Sequence, residues 1–204
     1  MNSYAIGLSV MEWFEFIKTL FRSAEPYLTV RNDLTHTQIA HQYSLELLSA
    51  AGGERRIVEP AVILHDVGWS KLKPEQIKMA FGIRADGKEA RRLNRIHEVE
   101  GAAIAGRLLE ELSYDPHFIK PITLMISRHD SGNHPESLEE KILKDSDKLW
   151  RFSGIGFRQE NERQDVEPFE MLHFLEGLIA CLFTPDARRM AAEELKARKR
   201  EITD

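Results

Sequence analysis

Ala61-Val62-Ile63-Leu64-His65-Asp66-Val67-Gly68 is the stretch on which the reading of this chain turns. Four apolar residues run without a break into an adjacent histidine and aspartate, and Gly68 reads as the stop of a buried helix. A desolvated, unpaired carboxylate there costs several kcal/mol or takes up a proton. A divalent cation removes the difficulty, because carboxylate oxygen and neutral imidazole nitrogen are both good ligands for it.

The pair alone also fits a cap at a helix end, so its neighbours along the chain decide. Upstream, a helix begins near Asp33 or Thr35, and His36, Ile39, Ala40, Tyr43, Leu47 and Leu48 trace one stripe along it. His36 faces inward on that stripe; His41 lies off it and reads as solvated. Downstream, His97, Gly101, Ile104 and Leu108 fall at helical spacing, with Gly101 clearing space one turn below the histidine. Pro121 reads as the start of a further helix in which Ile122, Met125, Ile126 and His129 repeat the pattern. Asp130 follows, either orienting a histidine or exposed at the helix end. Between Leu138 and Phe152, Leu143, Asp147 and Trp150 share a face, and Asp145 and Asp147 are both candidates to point inward.

The remaining segments frame this set. Ser9 to Ala24 is a packing helix with a capping box of Ser9 and Glu12. A turn at Gly52-Gly53 precedes the His65 helix, and a short helical stretch runs from Pro74 to Phe81. The segment from Gly82 to Arg95, with two glycines and five basic side chains, reads as a mobile connection that is either a lid and phosphate clamp or a solvated loop. Ser153 to Val166 reads as a loop and Glu167 to Phe183 as helix. Thr184 then caps a last helix with Pro185 at its first position and cations at its end. No strand is expected, so the fold class is all-α.

With 204 residues, one domain is the expectation, and 42% hydrophobic with 30% charged residues supplies an ordinary core. The expected division is a single helical domain over 1–204, a site core over about 31–152, and packing helices at 9–24 and 167–200. The net charge of −5 argues against an extended nucleic-acid surface. Cys181, the only cysteine, excludes an internal disulfide and reads as a small core hydrophobe. The N-terminus from Met1 to Ser9 lacks the pattern of a secretory signal and no segment is long enough to span a bilayer, so the expected location is cytoplasmic, with no membrane partner. A homo-oligomer is compatible with all of this.

The order H…HD…H…H…D resembles the HD superfamily of metal-dependent phosphohydrolases. The resemblance runs from about Arg31 to Leu149, on Asp33-Leu34-Thr35-His36-Thr37, Ile63-Leu64-His65-Asp66-Val67-Gly68 and Lys144-Asp145-Ser146-Asp147-Lys148-Leu149. It implies a helical bundle of the HD-domain type and selects Asp147 over Asp145 as the last metal ligand. The metal ligands it implies are His36, His65, Asp66, His97, His129 and Asp147.

Six such side chains pointing inward from five helices leave a core of unpaired polar groups unless a metal is present. His36, His65, Asp66 and Asp147 suffice for one ion; His97 and His129 suggest a second, with Asp66 as the bridge. The ligand types suit Fe, Mn, Ni, Co or Zn, with Mg admissible. The expected activity is hydrolysis of a phosphate ester or nucleotide by a metal-activated water, with Asp66 catalytic and Lys148 and Arg128 neutralising developing charge on a small phosphorylated substrate. The Gly-Tyr-Pro signature and double histidine of the family's cyclic-dinucleotide phosphodiesterases are absent, since Asp130 follows His129. One alternative is a di-iron oxygenase of a small diol or phosphonate, whose ligand order is similar. The other is a non-catalytic sensor that binds a nucleotide or a metal.

Overall fold

The computed structural model describes residues 9–31 and 33–203. Met1 to Leu8, where most of the N-terminal reading falls, lies outside them. The described residues form helices and turns without strands: α1 Val10–Leu28, α2 Leu34–Ala51, α3 Arg55–Leu64, α4 Pro74–Ala80, α5 Gly87–Glu111, α6 Pro116–Ile126, α7 Leu138–Leu149, α8 Gly154–Gln164, α9 Pro168–Leu178 and α10 Pro185–Thr203. Short 3₁₀ turns at Thr29–Arg31, Val67–Lys71, Trp150–Phe152 and Ile179–Cys181 join some of them.

α3 is the centre. Its residues Val58 to Leu64 are all buried, as expected of a helix enclosed on every side, and α1, α2, α6 and α7 pack around it. Glu59 sits in this apolar run because it is fully partnered: Trp13 Nε1 donates to it at 3.0 Å, His41 Nε2 lies 2.8 Å away and Arg55 pairs with it. His41 is therefore half-buried against Glu59 rather than solvated. One hydrophobic core extends from Trp13 on α1 to Leu195 on α10. A smaller one joins Trp69, Leu72, Ile77, Ala80 and Leu93 between the Val67–Lys71 turn, α4 and α5.

α1 begins on the expected capping box, with Ser9 N–H donating to Glu12 at 2.8 Å. Elsewhere the chain departs from the sequence reading for local reasons. Gly68 does not end a helix by left-handed geometry; it lets α5 cross the turn in backbone contact, since a Cβ there would lie 1.9 Å from the His97 carbonyl oxygen and 2.5 Å from Gly101 N. The segment from Gly82 to Arg95 is a short turn followed by the first turns of α5, capped by Asp86. α6 starts at Pro116, where Asp115 accepts from His117 N at 2.9 Å, so Pro121 lies inside it. The expected loop at Ser153 to Val166 is mostly α8. Ser153 Oγ caps it through Gly156 N at 3.0 Å, and its charges pair at short range, Arg163 with Glu160 at 3.5 Å and with Asp33 at 3.1 Å. Cys181 is exposed, not core. α10 starts as expected, with Thr184 Oγ1 accepting from Ala187 N at 3.2 Å. Among the described residues no helix is long and apolar enough to cross a membrane.

Candidate metal centre

Five elements bring the donors together. His36 comes from the first turn of α2, His65 and Asp66 from the end of α3, His97 from the middle of α5, His129 from the turn beyond α6, and Asp147 from the last turn of α7. His36, His65 and His97 are fully buried and His129 is 3% exposed. His36 Nε2 and His65 Nε2 stand 3.0 Å apart. Asp147 Oδ1 lies 3.4 Å from the first and 3.5 Å from the second; Asp66 Oδ2 lies 3.5 Å from both. On the other side His97 Nε2 and His129 Nε2 stand 3.3 Å apart, and each is 3.6 Å from Asp66 Oδ1. The two oxygens of Asp66 thus face two different pairs of imidazoles. Asp130, half-exposed, brings Oδ2 to 3.7 Å from His97 Nε2.

The ring orientations are fixed by the backbone. His65 Nδ1 is 2.8 Å from the Val62 carbonyl oxygen and His129 Nδ1 is 2.8 Å from that of Ile126, so each donates Nδ1–H and turns its Nε2 inward. His97 stacks on Trp69 with ring centroids 3.9 Å apart, and Trp69 Nε1 donates to Asp66 Oδ1 at 3.0 Å.

Electrostatically the centre draws positive charge. Burial lowers His65, but the Asp66 and Asp147 carboxylates outweigh it and push the imidazole up to about 9. Burial, aided by cationic His65 and Arg31, holds His36 well below its ordinary value despite the same carboxylates. Burial works to raise both aspartates, yet both lie well below the usual carboxylate range. For Asp66 the opposing groups are His65 and Arg31; for Asp147 they are His65 and Arg151. His129 is raised against its burial by Asp130 and Asp66.

A cation fits this donor set. Ligand atoms about 2.0–2.2 Å from one ion lie about 2.8–3.6 Å from each other, and the separations given above, Asp130 apart, run from 3.0 to 3.6 Å. Two Nε2 atoms at 3.0 Å also leave at most one N–H between them. His36, His65, Asp66 and Asp147 could hold one ion, and Asp66, His97 and His129, with Asp130 at the edge, could hold another.

The centre forms the floor of a cavity of about 520 Å³ whose walls include Arg31, Trp69, Phe81, Asp130, Lys148 and Arg151. Lys148 Nζ donates to the Lys144 carbonyl at 3.0 Å. Arg128, expected to neutralise charge here, is placed elsewhere: its guanidinium donates to Glu136 and Glu140, each at 2.7 Å, and it does not line the cavity. Within the basic segment Arg84 and Arg92 are paired with Glu170 and Glu89, and Arg91 reaches the cavity wall. Asp145 is buried but serves the fold, accepting from Phe183 N and Thr184 N at 2.8 Å each where α10 begins.

Arg31 and Trp69 escaped the sequence reading. Arg31 Nη2 donates to Asp66 Oδ2 at 3.1 Å, its Nε lies 2.6 Å from Asp33, and its guanidinium carbon is 4.2 Å from the Phe81 ring centroid and 4.8 Å from that of Trp69. Trp69 carries a local signal, three residues after Asp66 in a tight turn; Arg31 carries none.

No protein-family model and no curated protein matches the chain. Two solved structures do. One is a predicted HD superfamily hydrolase from an uncultured Thermotogales bacterium, with TM-score 0.65 and 18% identity over 96% of each chain. The other is an HD-superfamily hydrolase from Bacillus thuringiensis, with TM-score 0.59 and 22% identity over 93% of this chain and 94% of that one. The likeness covers nearly the whole length of both neighbours, and the chain has the all-α fold of the HD superfamily hydrolases.

Proposed function

We propose that this protein is a metal-dependent phosphohydrolase acting on a small phosphate ester or nucleotide. The observation that carries the reading is Asp66, dividing its carboxylate between two imidazole pairs on the floor of a cavity walled by Arg31, Lys148 and Arg151. Ions held by these donors supply Lewis acidity and an activated water. The description of both structural neighbours as hydrolases supports the same class.

The protein's own side chains then have separate tasks. Arg31, held by two carboxylates beside two aromatic rings, is a fixed cation at the cavity wall for phosphate oxygens. Lys148 and Arg151 counter the charge that develops on the transferring phosphoryl group.

The complete double donor set also favours a second reading, a di-iron oxygenase, because imidazole and carboxylate suit iron as well as zinc or manganese. The deciding experiment is metal content and electron paramagnetic resonance on protein purified without added metal or chelator, followed by a phosphate-release panel. Release of phosphate with redox-silent ions supports the hydrolase. A coupled mixed-valent di-iron signal with no release from any phosphate ester overturns it in favour of the oxygenase, and failure to take up any metal overturns both.

A further inference from the structure

Two buried side chains of opposite charge, neither of them a donor of the centre, grip the turn that carries His129. Glu98 on α5 and Lys144 on α7 are 0% and 1% exposed. Glu98 Oε1 accepts from the backbone N–H groups of Asp130 at 2.9 Å and Ser131 at 2.8 Å, and its Oε2 accepts from Ser131 Oγ at 2.7 Å. Lys144 Nζ donates to the carbonyls of Arg128 at 2.7 Å and His129 at 2.6 Å. The turn therefore has its N–H groups bound to an anion from one helix and its carbonyls bound to a cation from another.

Burying two ionised groups is costly unless each finds charge-assisted partners; Glu98 also pairs with Arg95 Nη1 at 3.1 Å, and the other partners of both groups all belong to residues 128–131. The position of that backbone matters for one reason visible in the structure. His36, His65 and Asp147 sit on helices or at their ends, where the helix aims them. His129 lies beyond the end of α6, so its ring direction depends on the path of the turn. Glu98 is also the next residue after His97, and Lys144 lies three residues before Asp147, so the turn is registered against both helices that share the centre with it.

We propose that Glu98 and Lys144 are positioning residues that set the ion affinity of the second donor set, Asp66, His97 and His129, and leave that of the first set, His36, His65, Asp66 and Asp147, nearly untouched. The inference rests on the two-ion reading of the centre and not on the reaction carried out there. Partners that orient a metal-ligating histidine are worth about 10–100-fold in metal affinity, and this pair orients the whole segment bearing one.

The test is a titration of the full-length, chelator-stripped protein with Mn²⁺ alone, with free ion read by electron paramagnetic resonance. The wild type takes up two ions. Lys144→Met and Glu98→Ala weaken one of the two sites by about tenfold or more and leave the other at the wild-type value. Glu98→Gln restores most of the loss, because its amide oxygen still accepts from both backbone N–H groups. Ser131→Ala removes a single bond and weakens the same site by about threefold, so the gentler pair decides the matter if the harsher variants fail to fold. Unchanged affinities across the series, equal weakening of both sites, or a wild type that takes up one ion or none overturns the proposal. Two-ion uptake that follows the series without any phosphate release supports it, while overturning only the phosphohydrolase reading.

Discussion

Asp66 faces His36 and His65 with one oxygen at 3.5 Å and His97 and His129 with the other at 3.6 Å. Asparagine keeps the shape but replaces one oxygen by an NH₂ that cannot act as a ligand, so one donor set loses its shared member whichever way the amide turns. Asp66→Asn is expected to lower metal content from two ions to at most one and phosphate release by more than about a hundredfold, since a direct donor weighs at least as much as an outer partner. Inductively coupled plasma analysis and a release assay on the same preparation check this. Arg31 makes a different prediction. Lysine keeps its charge but neither covers the Trp69 and Phe81 rings with a planar cation nor reaches two carboxylates with a fork. At saturating metal, Arg31→Lys should raise KM about tenfold, the amount that losing one charged hydrogen bond implies. An unaltered KM would remove Arg31 from substrate binding.

Between elements, the crossing of the Val67–Lys71 turn and α5 leaves no room for a side chain, because a Cβ on Gly68 meets the carbonyl of His97 itself. Gly68→Ala should destabilise the fold by about 1–3 kcal/mol or more and displace His97, seen as a lower melting midpoint together with weaker uptake of an ion. α3 offers a pH test. Burial alone would raise Glu59, but His41, Arg55 and Trp13 hold it below the ordinary carboxylate value. A carboxylate lowered in the native state contributes stability above its unfolded value, and that contribution is lost as pH falls through the native one. Glu59→Gln should therefore cost about 1–3 kcal/mol near neutral pH and almost nothing in acid, as chemical denaturation at several pH values would show. Elements of this kind were legible in the sequence wherever an apolar stripe carried them: the stripes of α1, α2 and α5 placed Trp13, His36 and His97 on inward faces. α8 was not legible. Its buried face is Gly156, Phe157 and Glu160, two of which carry no apolar signal, and the pairs that stabilise it reach Asp33 from a distant segment. The start of α5 was hidden for a related reason, since Gly87 sits at positive φ where Asp86 caps the helix, and such a glycine reads as loop. Arg31 shows the same limit at the site itself: its pairing with Asp66 spans 35 residues, and nothing beside it in sequence points there.

For the whole molecule, the centre is a cross-link. Its donors come from α2, the end of α3, α5, the turn beyond α6 and α7, and α3 is the helix about which the others pack. Ions bound to these donors favour the folded chain alone, because the unfolded chain cannot hold the residues together. At a free concentration about a hundred times Kd, one such site adds about 2.7 kcal/mol. In a chain of this size each kcal/mol moves the melting midpoint by about 2–4 °C. Removal of metal should therefore lower the midpoint by about 5–10 °C, and restoring one divalent ion should return it. The loss should fall on packing rather than on helix content, since the helices keep their caps. Circular dichroism at low temperature should then be the same with and without chelator while the midpoints differ. A midpoint indifferent to chelation, in a protein shown by analysis to have carried metal beforehand, would mean that the bundle closes around these side chains without help and that the ion serves chemistry alone.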